Sequence, residues 1–116
     1  MRYDRRMDKI QIIFYKTSTG RSPFLQWLSD LDKGTESIID ARLNRARKGI
    51  LGDCKPLRQT SGVWELRINY GPGYRLYFGI QGNTVIVLLV GGDKRSQERD
   101  IAKAERYWLD YKGLAK

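Results

Sequence analysis

The chain has 116 residues, with 22 Lys+Arg against 13 Asp+Glu and no histidine, giving a formal net charge of +9 at pH 7. That length supports one hydrophobic core rather than two, and the charge predicts attraction to polyanions or to an acidic protein partner. A single cysteine, Cys54, excludes an internal disulfide framework, the lack of histidine excludes a Cys–His nucleophile pair, and no apolar run approaches the roughly 18 to 20 residues that span a bilayer.

The first eight residues, Met1 to Asp8, read as a flexible tail ahead of a single domain over 9–116, with a start at either Met1 or Met7 left open. They carry no apolar stretch for export, which together with the lone cysteine points to the reducing cytosol. Ile10–Tyr15 reads as a strand, followed by a Thr17–Arg21 turn. Ser22 then offers an N-cap and Pro23 a first helical residue, and Phe24, Trp27, Leu28 and Leu31 follow the spacing of a core-facing helix. A second helix starts at Thr35 and Glu36, buries Ile39, Leu43, Ala46 and Ile50, and stops at Gly49. Arg42, Arg45 and Lys48 stand three apart on it. They form either a solvated face or a ridge that contacts phosphate.

A short Lys55–Leu57 approach leads to the most informative stretch, Gly62–Phe78, which predicts a β-hairpin. Alternation puts Trp64, Leu66, Ile68 and Tyr70 on one face with Tyr74, Leu76, Phe78 and Ile80, and leaves Glu65, Arg67, Asn69, Arg75 and Tyr77 on the other. A three-residue loop, Gly71–Gly73, pairs Ile68 with Leu76 and Arg67 with Tyr77. A two-residue turn at Gly82 and Asn83 leads into the apolar run Val85–Val90, a strand buried on both faces, and sets Val90 opposite Arg75. A third helix from Ser96 to about Leu109, with Ile101, Ala104, Trp108 and Tyr111 at helical spacing, folds back on the sheet. The expected class is α+β: a mostly antiparallel sheet with helices on one face and the other face partly open.

This register makes Arg67, Arg75, Lys94 and Arg95 converge beside two glycine-rich loops and the third helix's N-terminus. Such a cluster is a basic surface or an anion site, and exposed backbone N–H groups favour the anion site. Metal-ligand spacing is absent from the sequence, no cofactor motif is present, and Cys54 reads as structural.

The run Phe24…Trp27-Leu28, Arg42-Leu43…Arg45, Gly52-Asp53…Lys55-Pro56-Leu57, Gly62–Arg67, Gly71–Arg75 and Gly91–Lys94…Gln97…Asp100-Ile101 resembles the addiction-module killer proteins, the HigB-like branch of the RelE/ParE toxin superfamily. The likeness covers roughly residues 9 to 110. It implies a microbial-ribonuclease-type fold with two N-terminal helices and a C-terminal helix. It further implies a type II toxin that cuts mRNA on the ribosome without a metal or cofactor and is neutralised by a cognate antitoxin of helix-turn-helix type. Carried over position by position, Arg75 matches the strand arginine that holds the scissile phosphate, Arg67 a second strand cation, and Lys94 or Arg95 the basic residue after the last strand. Glu65, Tyr77, Asp93, Lys94 and Arg95 are candidates for proton transfer, while Arg42, Arg45, Lys48 and Lys55 are candidates for docking on RNA or the ribosome. Two rival readings share this fold: a ParE-like inhibitor of DNA gyrase with no hydrolysis, and a non-catalytic RNA- or ribosome-binding module.

Overall fold

The computed structural model describes residues 10–113, so the expected tail over 1–8 and the choice of start lie outside the described residues. The order is β1 (Gln11–Phe14), α1 (Pro23–Ser29), α2 (Lys33–Arg47), β2 (Cys54–Pro56), β3 (Trp64–Ile68), β4 (Tyr74–Gln81), β5 (Val85–Asp93), a 3₁₀ turn (Lys94–Ser96) and α3 (Gln97–Tyr111). The class is α+β, with a five-stranded mixed sheet in the order β1-β5-β4-β3-β2. Three ladders are antiparallel, and β1 runs parallel to β5. Among the described residues, no helix is long and apolar enough to cross a membrane.

The Ser22 side chain accepts from the Leu25 N–H and Pro23 opens α1. α2 begins earlier than expected because Asp32, not Thr35, is its cap and accepts from the Thr35 N–H at 2.7 Å. Gly49 ends that helix at φ 87°, so Ile50 turns outward to 52% exposure instead of joining the stripe of Ile39, Leu43 and Ala46.

The apolar face of the β3/β4 hairpin forms as alternation requires, but its register is shifted by two residues. Leu66 pairs with Leu76, Ile68 with Tyr74, Glu65 with Tyr77 and Arg67 with Arg75. The loop takes in Asn69 and Tyr70 as well as the glycines, with the Tyr70 N–H donating to the Ile68 carbonyl and the Gly73 N–H to the Tyr70 carbonyl. Tyr70 is therefore an exposed loop residue. Parity forces apolar onto apolar, and every even register satisfies it equally; the turn decides between them.

A second correction concerns β5. Its loop has three residues, and an irregularity opposite Tyr77 and Phe78 inserts Leu89, so Arg75 faces Gly92 rather than Val90. The extra residue places Leu89 and Val90 in the same core cluster. Such a bulge re-aims every later side chain on the strand.

The third correction is architectural. Phe24 and Leu28 of α1 and Ile39 and Leu43 of α2 pack on Leu66, Ile68, Leu76, Phe78 and Leu88. The opposite face is not left open: Ala104 and Trp108 of α3 cover Tyr77, Val87, Leu89 and Val90. The sheet thus sits between two helical layers, and the polar face of the hairpin is partly interior.

Candidate functional site

At the loop end of the β3/β4 hairpin, a cleft of about 440 Å³ is lined by Arg67, Arg75, Lys94, Asp53, Tyr74 and the Gly71–Gly73 turn. Of the four cations expected to converge, Arg67, Arg75 and Lys94 do so, and Arg95 does not line this cleft. Register explains it: Arg67 and Arg75 are direct cross-strand partners, and Gly92 beside Arg75 brings Lys94 to the same rim.

Their settings differ. Arg67 is half-exposed, and its Nε donates to Asp53 Oδ2 at 3.1 Å. Arg75 is only 12% exposed, with its Nε 3.4 Å from Oε2 of Glu65, itself 1% exposed. That contact is an ion pair by distance without hydrogen-bond geometry, and the buried Arg75 Nε has no other partner among the described residues. Glu65 instead accepts from Tyr77 Oη at 3.2 Å and Gln97 Nε2 at 3.1 Å. Arg75 is consequently aimed from behind by an interior carboxylate, which α3 and a strand tyrosine hold in place.

This geometry changes the acid–base candidates. Tyr77 is fully buried, and burial, then the charge and hydrogen bond of Glu65, push its phenol well above the ordinary value, so it stays a donor to Glu65. Glu65 and Tyr77 are out of solvent's reach and cannot touch a substrate in this arrangement. Asp93 is held below the usual carboxylate range, first by the side-chain hydrogen bond from Arg95, whose guanidinium it pairs with at 3.0 Å. Arg95 points away from the main cleft into a neighbouring concavity. Lys94 and Asp53 remain on the cleft wall.

The expected basic ridge divides. Arg42 is not a solvated member of it: its Nη2 donates to the carbonyls of Leu51 and, at 3.4 Å, Arg67. Gly52, at φ 70°, lies so close beneath that guanidinium that a Cβ would stand 2.9 Å from Nη2. Burial lowers the Arg42 pKa. Arg42 therefore clamps the segment that delivers Asp53 to Arg67. Arg45 is exposed on α2, Lys48 at its C-cap and Lys55 on the edge strand β2, all outside the cleft lining. Cys54 is half-buried, and burial pushes its thiol up, away from nucleophilic character. No group of three or more His, Cys, Asp or Glu able to hold a metal occurs among the described residues.

Two groups escape a reading of the sequence. Gln97 extends the Ile101, Ala104 and Trp108 stripe back by one turn, a spacing that does mark it as inward-facing. Asp53 carries no such periodic signal. The expected pull of the α3 N-terminus on anions is already answered, since its first turn holds Glu98 and Asp100 and a 3₁₀ turn separates it from β5.

Residues 26–108 match the family of phage-derived Gp49-like proteins (DUF891). The chain belongs to this family. Gp49-like proteins are associated with toxin–antitoxin modules. An uncharacterized protein of Haemophilus influenzae is 41% identical over 83 residues, covering 71% of this chain and 82% of that relative. The matched segment runs from α1 through α3 and contains the whole cleft.

Proposed function

We propose that this Gp49-like protein is the toxin of a type II toxin–antitoxin module and cleaves mRNA on the ribosome, halting translation. The observation that carries the reading is the meeting of Arg67, Arg75 and Lys94, from three separate segments, in one cleft beside a glycine-rich turn. In metal-free RNA cleavage the 2′-oxygen attacks the adjacent phosphorus, loses its proton to a base, and the 5′-oxygen leaves with a proton from an acid. The dianionic phosphorane between these events needs cations more than anything else. Arg75 and Arg67 fit that role because a guanidinium fork matches two phosphate oxygens and stays charged. In this reading Lys94 protonates the leaving oxygen, and Asp53 is the carboxylate on the same wall. Weak proton-transfer groups suffice when the ribosome holds the mRNA in line, since positioning is worth about 7 to 11 kcal/mol.

One observation favours a second, non-catalytic reading. Each cleft arginine already has a carboxylate neighbour, Asp53 or Glu65, and neither buried Glu65 nor buried Tyr77 can serve as base. Such a cleft could bind RNA, or DNA gyrase, without turnover. Expression of the chain alone decides between these. Growth arrest with cuts inside translated codons, mapped by primer extension, is expected; arrest with intact mRNA and stabilised gyrase–DNA cleavage complexes would select the gyrase reading. The cognate antitoxin is proposed to be a small helix-turn-helix protein encoded beside this gene, checked by rescue of growth on co-expression.

A further inference from the structure

Beyond the Asp93–Ser96 turn from the Arg75 cleft lies a second cleft of about 340 Å³, between α1 and α3. It exists because β1 stops at Phe14, opposite Leu88, leaving β5 from Leu89 onward without a strand on that edge. Gly91 and Gly92 form its floor and let both helices approach. A Cβ at Gly91 would collide with the Trp27 ring of α1, and one at Gly92 with the Asp100 carboxyl of α3.

The rim is cationic. Arg21, Arg99 and Lys103 line it, and Arg95, Arg99 and Lys103 recur every fourth residue, so they stand on one side of α3 and the turn before it. Arg95 and Arg99 also line a concavity that shares Asp93, Ser96 and Arg99 with this cleft, and Lys94, the residue before Arg95, lines the Arg75 cleft. Positive side chains thus succeed one another along the chain from Lys94 on the Arg75 cleft to Arg95, Arg99 and Lys103. The carboxylates nearby are largely occupied: Asp100 is buried and takes the Ser96 hydroxyl, and Asp93 takes Arg95. Asp30 also lines the cleft. Two aromatic residues, Trp27 and Tyr107, line the same cleft. Trp27 is half-buried against Phe24 and Tyr74, and Tyr107 is stacked on Tyr15 with Arg106 above it. Cations that track a backbone, interleaved with fixed π-faces, are the physical pattern of single-stranded nucleic-acid binding.

We infer that the α1/α3 cleft is a second RNA subsite, which holds the single strand continuing out of the Arg75 cleft. Arg99 and Lys103 take its phosphates, and Trp27 offers a face to a base. The identity of the polymer rests on the ribonuclease reading, but the subsite is tested by binding alone. Fluorescently labelled single-stranded RNAs, a trinucleotide and an oligomer of about eight nucleotides, are titrated with the full chain at several salt concentrations. The parent should prefer the longer RNA. Arg99→Gln with Lys103→Gln should weaken the longer RNA by about tenfold and reduce its salt slope by about two, while leaving the trinucleotide unchanged. Arg75→Ala should weaken both lengths. An unchanged length preference and slope in the double variant would overturn the subsite whatever Arg75→Ala does. The subsite is equally overturned if RNA binding is intact and only binding of an acidic peptide is lost. If the parent never cuts mRNA yet the length and salt effects appear, the subsite stands and the nuclease reading falls. Because Arg99 is exposed and Lys103 half-exposed, thermal melting should show the double variant folded.

Discussion

On the sheet face under α1 and α2, Phe24, Leu28, Ile39 and Leu43 meet Leu66, Ile68, Leu76 and Phe78, and among the described residues no carboxylate is buried there; on the face under α3, Glu65 and Asp100 are buried. Burying a carboxylate costs several kcal/mol unless partners satisfy it. The chain meets that cost at Glu65, which stands behind Arg75, and at Asp100, which takes the Ser96 hydroxyl. Both faces carry an apolar cluster, but the expensive polar arrangement that shapes the cleft lies on the α3 side.

Breaking the apolar face should produce the largest effect and the least specific one. Phe78→Ala should lower unfolding free energy by about 3 to 5 kcal/mol in denaturant titrations, with RNA affinity of the folded fraction unchanged. Breaking the polar face should show in function. Arg75→Ala is expected to slow single-turnover cleavage of ribosome-bound mRNA by about 10²-fold, and to lower the melting temperature because Glu65 loses its nearest cation. Adding Glu65→Gln should restore the melting temperature and leave the rate low. Recovery of both would reduce Arg75 to a counter-ion and remove the contrast between the faces.

A third prediction sharpens the same contrast through pH. Tyr15, on the α3 side, has its phenol pushed up to about 12, first by burial and then by its hydrogen bond to Asp110. The folded value exceeds the unfolded value of about 10, so its contribution is whole below pH 10 and lost as pH rises toward 12. The size is on the order of 2 kcal/mol. Tyr15→Phe should remove that part of the alkaline loss of stability, read as the difference between parent and variant unfolding curves across this window. The smallest effect is expected on α2. Arg45→Gln with Lys48→Gln should move stability by less than about 0.5 kcal/mol, yet reduce the salt slope of ribosome binding by about two. An unchanged slope would make these side chains a solvated face.

What the sequence made legible was local. The Ser22-Pro23 start of α1, the apolar stripes and the face assignment of the β3/β4 hairpin follow from cap chemistry and period alone. The convergence of Arg67, Arg75 and Lys94 also survived two register corrections, because both loops deliver these residues to the same sheet end in either register. Parity could not choose between even registers, and the run from Val85 to Val90, apolar throughout, contains nothing to mark Leu89 as an inserted residue. The interior placement of Glu65 and Tyr77 depended on α3 crossing the second face, a contact more than thirty residues away for Gln97 and Glu65. Arg42 looked like its neighbours Arg45 and Lys48 because only the tertiary position of Gly52 separates a clamp from a surface charge.

The parallel pairing of β1 with β5 has a kinetic consequence. Gln11 aligns with Val85, more than half the chain away, the kind of contact that folds late because chain entropy must be spent before it forms. During synthesis the hairpin β3/β4 can form as soon as it emerges, but the central strand it needs arrives after Val85, and Gln97, which fixes Glu65 behind Arg75, arrives later still. A nascent chain that ends before α3 therefore holds its arginines without the scaffold that aims them. The cleft takes its final shape only once α3 has emerged and packed against the sheet.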